Sequence, residues 1–109
     1  MMTNVSFDRI HDTYIFECCG HTGYSVAGRD ILCSAVSVLC YTLRAYLEKL
    51  SDEGLLSDFI SDFSEGNALM RFEYGDLADG ARISEAVGAI LSGFLLLEES
   101  FPDYITADI

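Results

Sequence analysis

Cys33 and His21 are the two residues whose types and placement could do covalent chemistry. Asp30 reads as a helix N-cap, its side chain accepting from the unbonded amides of a first turn. That puts Cys33 at the third helical position, where those amides and the helix dipole favour a thiolate. The Asp30 carboxylate opposes this if it lies close, so the balance is not fixed by sequence. His21 sits earlier, in a glycine-punctuated segment that can fold back over the helix start. A thiol with an imidazole in reach is the minimum set for nucleophilic acyl transfer. The plain alternatives stand beside it: a cysteine at a helix start is commonly a small buried residue, and a loop histidine a polar surface group. Ser37, one turn after Cys33 on the same face, either hydrogen-bonds into such a site or bonds back to helix carbonyls. Cys40, a further turn along, reads as core. Cys18 and Cys19 alternate to opposite faces of a strand, so neither a metal site nor a cofactor is expected.

The elements that must position these groups follow from hydrophobic periodicity. Residues 4–19 read as a β-hairpin turning at His11-Asp12, with Tyr14, Phe16 and Cys18 on one face. Gly20, Gly23 and Gly28 then punctuate a loop with no helical period, read as mobile, with Tyr24 inside it. Apolar residues at Ile31, Ala35, Leu39, Leu43, Tyr46 or Leu47, and Leu50 predict a helix that stops near Ser51 to Gly54. Residues 55–64 have mixed periodicity. A hairpin turning at Glu65-Gly66-Asn67 reconciles them with the strand pattern of Ala68, Met70, Phe72 and Tyr74. A last helix is predicted from about Gly80 to Ser100, with Ile83, Val87, Ile90, Phe94 and Leu97 on one face and Pro102 after its end. Ala86, Ala89, Leu91, Leu95 and Leu96 widen that face beyond what one small sheet covers, so either deep burial or a second subunit is expected. The order β-β-α-β-β-α predicts an α+β fold: a small antiparallel sheet with two helices packed on it.

Composition sets the limits on partners. A chain of 109 residues, half of them apolar, is read as one domain spanning 1–109 with material for a real core. Acidic residues outnumber basic ones 18 to 6, for a formal net charge of −12. Direct nucleic-acid binding is therefore not expected, because its sequence-independent affinity comes from Lys and Arg. Of the acids, 13 fall in residues 51–109, against two basic residues. A cationic protein or peptide complements such a field, and simple solubility is the alternative reason for it. The longest apolar run, Ala86 to Leu97, is short of the roughly 20 residues that cross a bilayer, so no membrane span is expected. Met1 to Arg9 has no basic start leading into an apolar stretch, which predicts a cytoplasmic location with reduced thiols.

Taken together, Gly20-His21-Thr22-Gly23-Tyr24, then Gly28, then Asp30-Ile31-Leu32-Cys33-Ser34-Ala35-Val36-Ser37 resembles the signature of the ribosomal-processing cysteine protease family, known as Prp. The closing Phe101-Pro102-Asp103-Tyr104-Ile105 is similar to the family's end. Thr22, Ser25 and Ser34 stand where the family commonly has small alanine-like residues, and Leu55 to Glu65 is the least family-like stretch. The resemblance implies an α+β domain with Cys33 as nucleophile and His21 as general base. Asp30 and Ser37 are implied as accompanying polar residues, and Gly20, Gly23, Tyr24 and Gly28 as a loop that gates the substrate. It implies a cytoplasmic, typically homodimeric bacterial enzyme that removes a short N-terminal extension from a large-subunit ribosomal protein. The family's extension carries basic and aromatic residues, in accord with the acidic surplus here. Two rival readings remain at this point: a non-catalytic acidic binding module or assembly factor for a basic ribosomal protein, and a thiol redox sensor pairing Cys33 with Cys18, Cys19 or Cys40.

Overall fold

The computed structural model describes residues 2–20, 31–75 and 77–109, with backbone alone for 77 and 78. β1 (Thr3–Ile10) and β2 (Thr13–Cys19) form the expected hairpin, Ile10 facing Thr13 across the turn. His11 in that turn has φ 58°, a left-handed conformation that histidine tolerates better than most residues. α1 (Ile31–Asp52) follows, then a second hairpin of β3 (Asp58–Ser64) and β4 (Asn67–Glu73) turning at Glu65-Gly66. This settles residues 58–64 of the mixed-periodicity stretch as a strand, with 55–57 leading into it outside any regular element. α2 (Leu77–Ser100) begins about one turn earlier than predicted, with Arg82 paired to Asp79 at 3.1 Å in its first turns.

The predicted order omitted one element. β5 (Ile105–Asp108) adds a fifth strand, giving the sheet order β3-β4-β2-β1-β5. It pairs parallel to β1, Thr3 opposite Ile105, so the sheet is mostly and not wholly antiparallel. Four residues, two of them the weak strand formers Ala and Asp, give little local signal. The strand exists because β1 offers it an edge. Tyr104 O accepts from Thr3 N at 3.0 Å, and Ala107 N donates to Glu98 of α2 at 2.9 Å.

Both helices lie on one face of the sheet. The buried stripe of α1 is Leu32, Val36, Cys40, Leu43, Leu47 and Leu50, which rotates its first turns relative to the predicted face. Ile31 is 66% exposed, while Leu39 turns sideways toward α2. A Cβ on Gly93 would lie 2.7 Å from a Leu39 methyl, so glycine lets the two helices approach there. From α2, Ile83, Val87, Leu91 and Phe94 are buried, and the Phe94 ring sits 5.4 Å from that of Phe16 on β2. Both helices are long and apolar enough to cross a bilayer, yet each lays its apolar stripe on the sheet.

At one end of the inner face Tyr14 and Tyr74 stack at 5.0 Å with rings nearly parallel, and Tyr14 stacks on Phe72 at 5.3 Å. Burial, then the hydrogen bond with Tyr14, pushes the Tyr74 phenol up to about 12. A raised phenol pKa means the folded chain keeps a proton that the unfolded chain releases above about 10. Stability is therefore untouched below that value and falls as pH rises from about 10 to about 12. Phenolate absorbance is expected to show one tyrosine titrating near 12, a late step that Tyr74→Phe removes.

Candidate active site

A cavity of about 290 Å³ opens where β1 begins, β2 ends and β3 turns into β4. One side is α1, which contributes Cys33, Val36, Ser37, Cys40 and Tyr41. These positions recur at helical spacing and form one face of the first turns. The other side is the sheet, through Thr3, Cys18, Gly20 and the stretch from Phe63 to Ala68. Cys33 is half-buried at the third position of α1, beside the buried stripe, and lines the cavity. Ser37 is exposed one turn further along the same wall.

Three of the four thiols line this cavity, and burial separates their roles. Cys18 and Cys40 are buried at its floor and hydrogen-bond to each other. That bond, and then burial, pushes the Cys40 thiol up, so it holds its proton and is a poor nucleophile. Cys33 is the half-buried one of the three, and Cys19 faces the other side of the sheet. Among the described residues no group of three His, Cys, Asp or Glu side chains is arranged to hold a metal ion.

The outer wall is aromatic. Tyr41 of α1 meets Phe63 of β3 at 5.2 Å, and the Arg44 guanidinium lies 4.8 Å from the Phe63 ring. Glu48 accepts from Arg44 Nε at 2.8 Å and fixes that cation in place. Sequence periodicity alone did not identify Tyr41, Phe63, the Glu65-Gly66-Asn67 turn or the Cys18–Cys40 pair as parts of the site. The available signal was the recurrence of Cys33, Ser37 and Tyr41 four residues apart, which forces them onto one helical face.

Gly20 closes the near end. Its N–H donates to Gly66 O at 2.8 Å, and its carbonyl accepts from the Thr3 hydroxyl at 3.4 Å. It has φ +96°, and a Cβ there would lie 2.6 Å from the Met2 carbonyl oxygen. Gly20 thus anchors the end of β2 against the β3–β4 turn. His21, Gly23, Tyr24, Gly28 and Asp30 lie outside the described residues. Gly20→Ala is expected to destabilise the fold by at least about 1–2 kcal/mol, from left-handed backbone strain alone, with the close contact adding to it. Thermal unfolding checks this, with a drop of several degrees expected.

The same fold and family emerge from comparison with known proteins. A family model described as cysteine protease Prp matches residues 2–106. A search of curated proteins finds no match. Among solved structures, SMU.848 from Streptococcus mutans is similar at 28% identity and a TM-score of 0.66, covering 99% of this chain and 93% of that one. The essential ribosomal processing protease Prp from S. aureus, solved with a covalently linked product peptide, is similar at 18% identity and a TM-score of 0.65. That likeness covers 98% of each chain and speaks for the fold alone. The family match takes in both helices and all four antiparallel strands, including every wall of the Cys33 cavity. The chain belongs to the cysteine protease Prp family and is a cysteine protease.

Proposed function

We propose that this protease removes the short N-terminal extension of a bacterial large-subunit ribosomal protein, with Cys33 as nucleophile and His21 as general base. The observation that carries the reading is a half-buried Cys33 at the start of α1, facing a cavity between helix and sheet in a chain of this family. A ribosomal processing role is named for the S. aureus protein of the same fold, and a chain of net charge −12 suits a basic substrate.

In this reading His21 takes the proton of Cys33, and the thiolate attacks the scissile carbonyl. The tetrahedral adduct collapses to a thioester as the proton passes from His21 to the leaving amine. Water, deprotonated by the same imidazole, then hydrolyses the thioester and frees the thiol. In the same reading the first-turn amides of α1 receive the developing oxyanion. Ser37, one turn along, and Asp30 are the accompanying polar residues in this reading. Gly20 holds one end of the loop, while Gly23, Tyr24 and Gly28 gate the peptide. The reaction runs in the cytoplasm, where thiols stay reduced.

Leu95 and Leu96 of α2 are 43% and 63% exposed, a surface that a second copy of the chain would cover, which supports a homodimer as the working form in this reading. Leu96→Glu is expected to convert a dimer to a monomer in sedimentation velocity. A wild-type chain that sediments as a monomer overturns that assignment.

The central test incubates the protein with a peptide copying the ribosomal protein's N-terminus and reads the products by mass spectrometry. One discrete cut is expected. Cys33→Ala should lower the rate more than about a thousandfold, and His21→Ala by about 10²–10⁴-fold. Ser37→Ala should change it by no more than about tenfold, the worth of one hydrogen bond. An uncut peptide, or a cut that Cys33→Ala retains, overturns the reading.

A further inference from the structure

The sheet has a second face that no described element covers. Strand alternation sends every other residue away from the helices, and the register stacks these residues in rows. One row runs Asp8, Ile15, Arg71, Ile60, and the next runs Asp108, Ser6, Glu17, Leu69, Asp62. Ile15, Leu69 and the 46% exposed Ile60 make an apolar centre, around which Asp8, Glu17, Asp62 and Asp108 are exposed carboxylates. Arg71 is the one cationic side chain the described strands send to this face, and it is bonded to Asp58 at 3.2 Å. Ile15, Asp58, Arg71 and Glu73 help line an open hollow of about 500 Å³ on this face. An apolar centre inside a charged rim is the anatomy of a protein-binding surface.

We propose that this open face docks the basic body of the substrate protein, outside the segment that enters the Cys33 cavity. The inference rests on the ribosomal-protein reading above. A protein that binds ribosomal RNA presents Lys and Arg, and these complement the uncompensated carboxylates. A second copy of this chain is disfavoured here, because a two-fold contact would set acidic face against acidic face. The two surfaces are continuous. Ser64 and Asn67 line the cavity and also belong to the row Thr106, Asn4, Cys19, Asn67, Ser64 at the near end of the open face. A chain leaving the cavity over the β3–β4 turn meets the carboxylates of Glu17 and Asp62 one row on, about 7 Å away.

The test uses the full-length Cys33→Ala protein and, as probe, fluorescently labelled mature ribosomal protein that already lacks its extension. Saturable binding that weakens with salt is expected, and Glu17→Lys with Asp62→Lys should weaken it at least about tenfold. Glu17→Gln with Asp62→Asn should give a smaller loss, and circular dichroism confirms that each variant folds. In the Cys33 enzyme the same charge reversals should leave cleavage of the short extension peptide unchanged. Absence of binding, an affinity indifferent to the reversals, or reversals that alter only the oligomeric state overturn the docking surface. An uncut peptide beside charge-dependent binding overturns the proteolytic reading and leaves the docking surface standing.

Discussion

The fold depends on covering one face of a five-stranded sheet, the other being left uncovered by the described residues. Side chains alternate along a strand, so a slip of one residue in any strand would exchange its core residues for its solvent residues. Phe16, Met70 and Phe72 are fully buried, while Ile15, Leu69 and Arg71 beside them in sequence face outward. The constraint also sorts the adjacent cysteines: Cys18 faces the helices and meets Cys40, and Cys19 faces the open side. The cavity lies on the covered face by the same rule, because there α1 brings Cys33 and Cys40 against the sheet.

Much of this was legible in the amino-acid order. Hydrophobic period distinguished two hairpins and two long helices, and His11-Asp12 and Glu65-Gly66 marked both turns. β5 was not legible, since its four residues are held by hydrogen bonds to β1 and α2 instead of by their own propensity. The rotation of the first turns of α1 was also hidden. Ile31 and Leu32 are equally apolar, and only the positions of the sheet and of Gly93 decide which of them is buried. At the site, residue type and order singled out Cys33 and Ser37, whereas Phe63 and Tyr41 meet across a separation that no local pattern encodes.

The cavity sets two buried thiols beside a third that is only half-buried. Cys40 is bonded to Cys18 and enclosed, so its proton stays on sulfur. Cys33, two helical turns earlier, is half-buried at the rim of the same space. Environment, and not residue type, separates these cysteines.

The pairing of β5 with β1 has a consequence for the order in which the molecule is assembled. Thr106 donates to the Asn4 side chain at 2.8 Å across a separation of 102 residues. Thr3, one residue before that contact, is also a wall of the cavity. β1 and its parallel neighbour lie far apart in sequence, so the edge strand behind this wall closes only through a long-range pairing. Such long-range closure slows folding relative to local hairpins and helices. Both hairpins and both helices can therefore form from local contacts before this edge closes, and the Thr3 wall of the cavity is completed by the most distant pairing in the sheet.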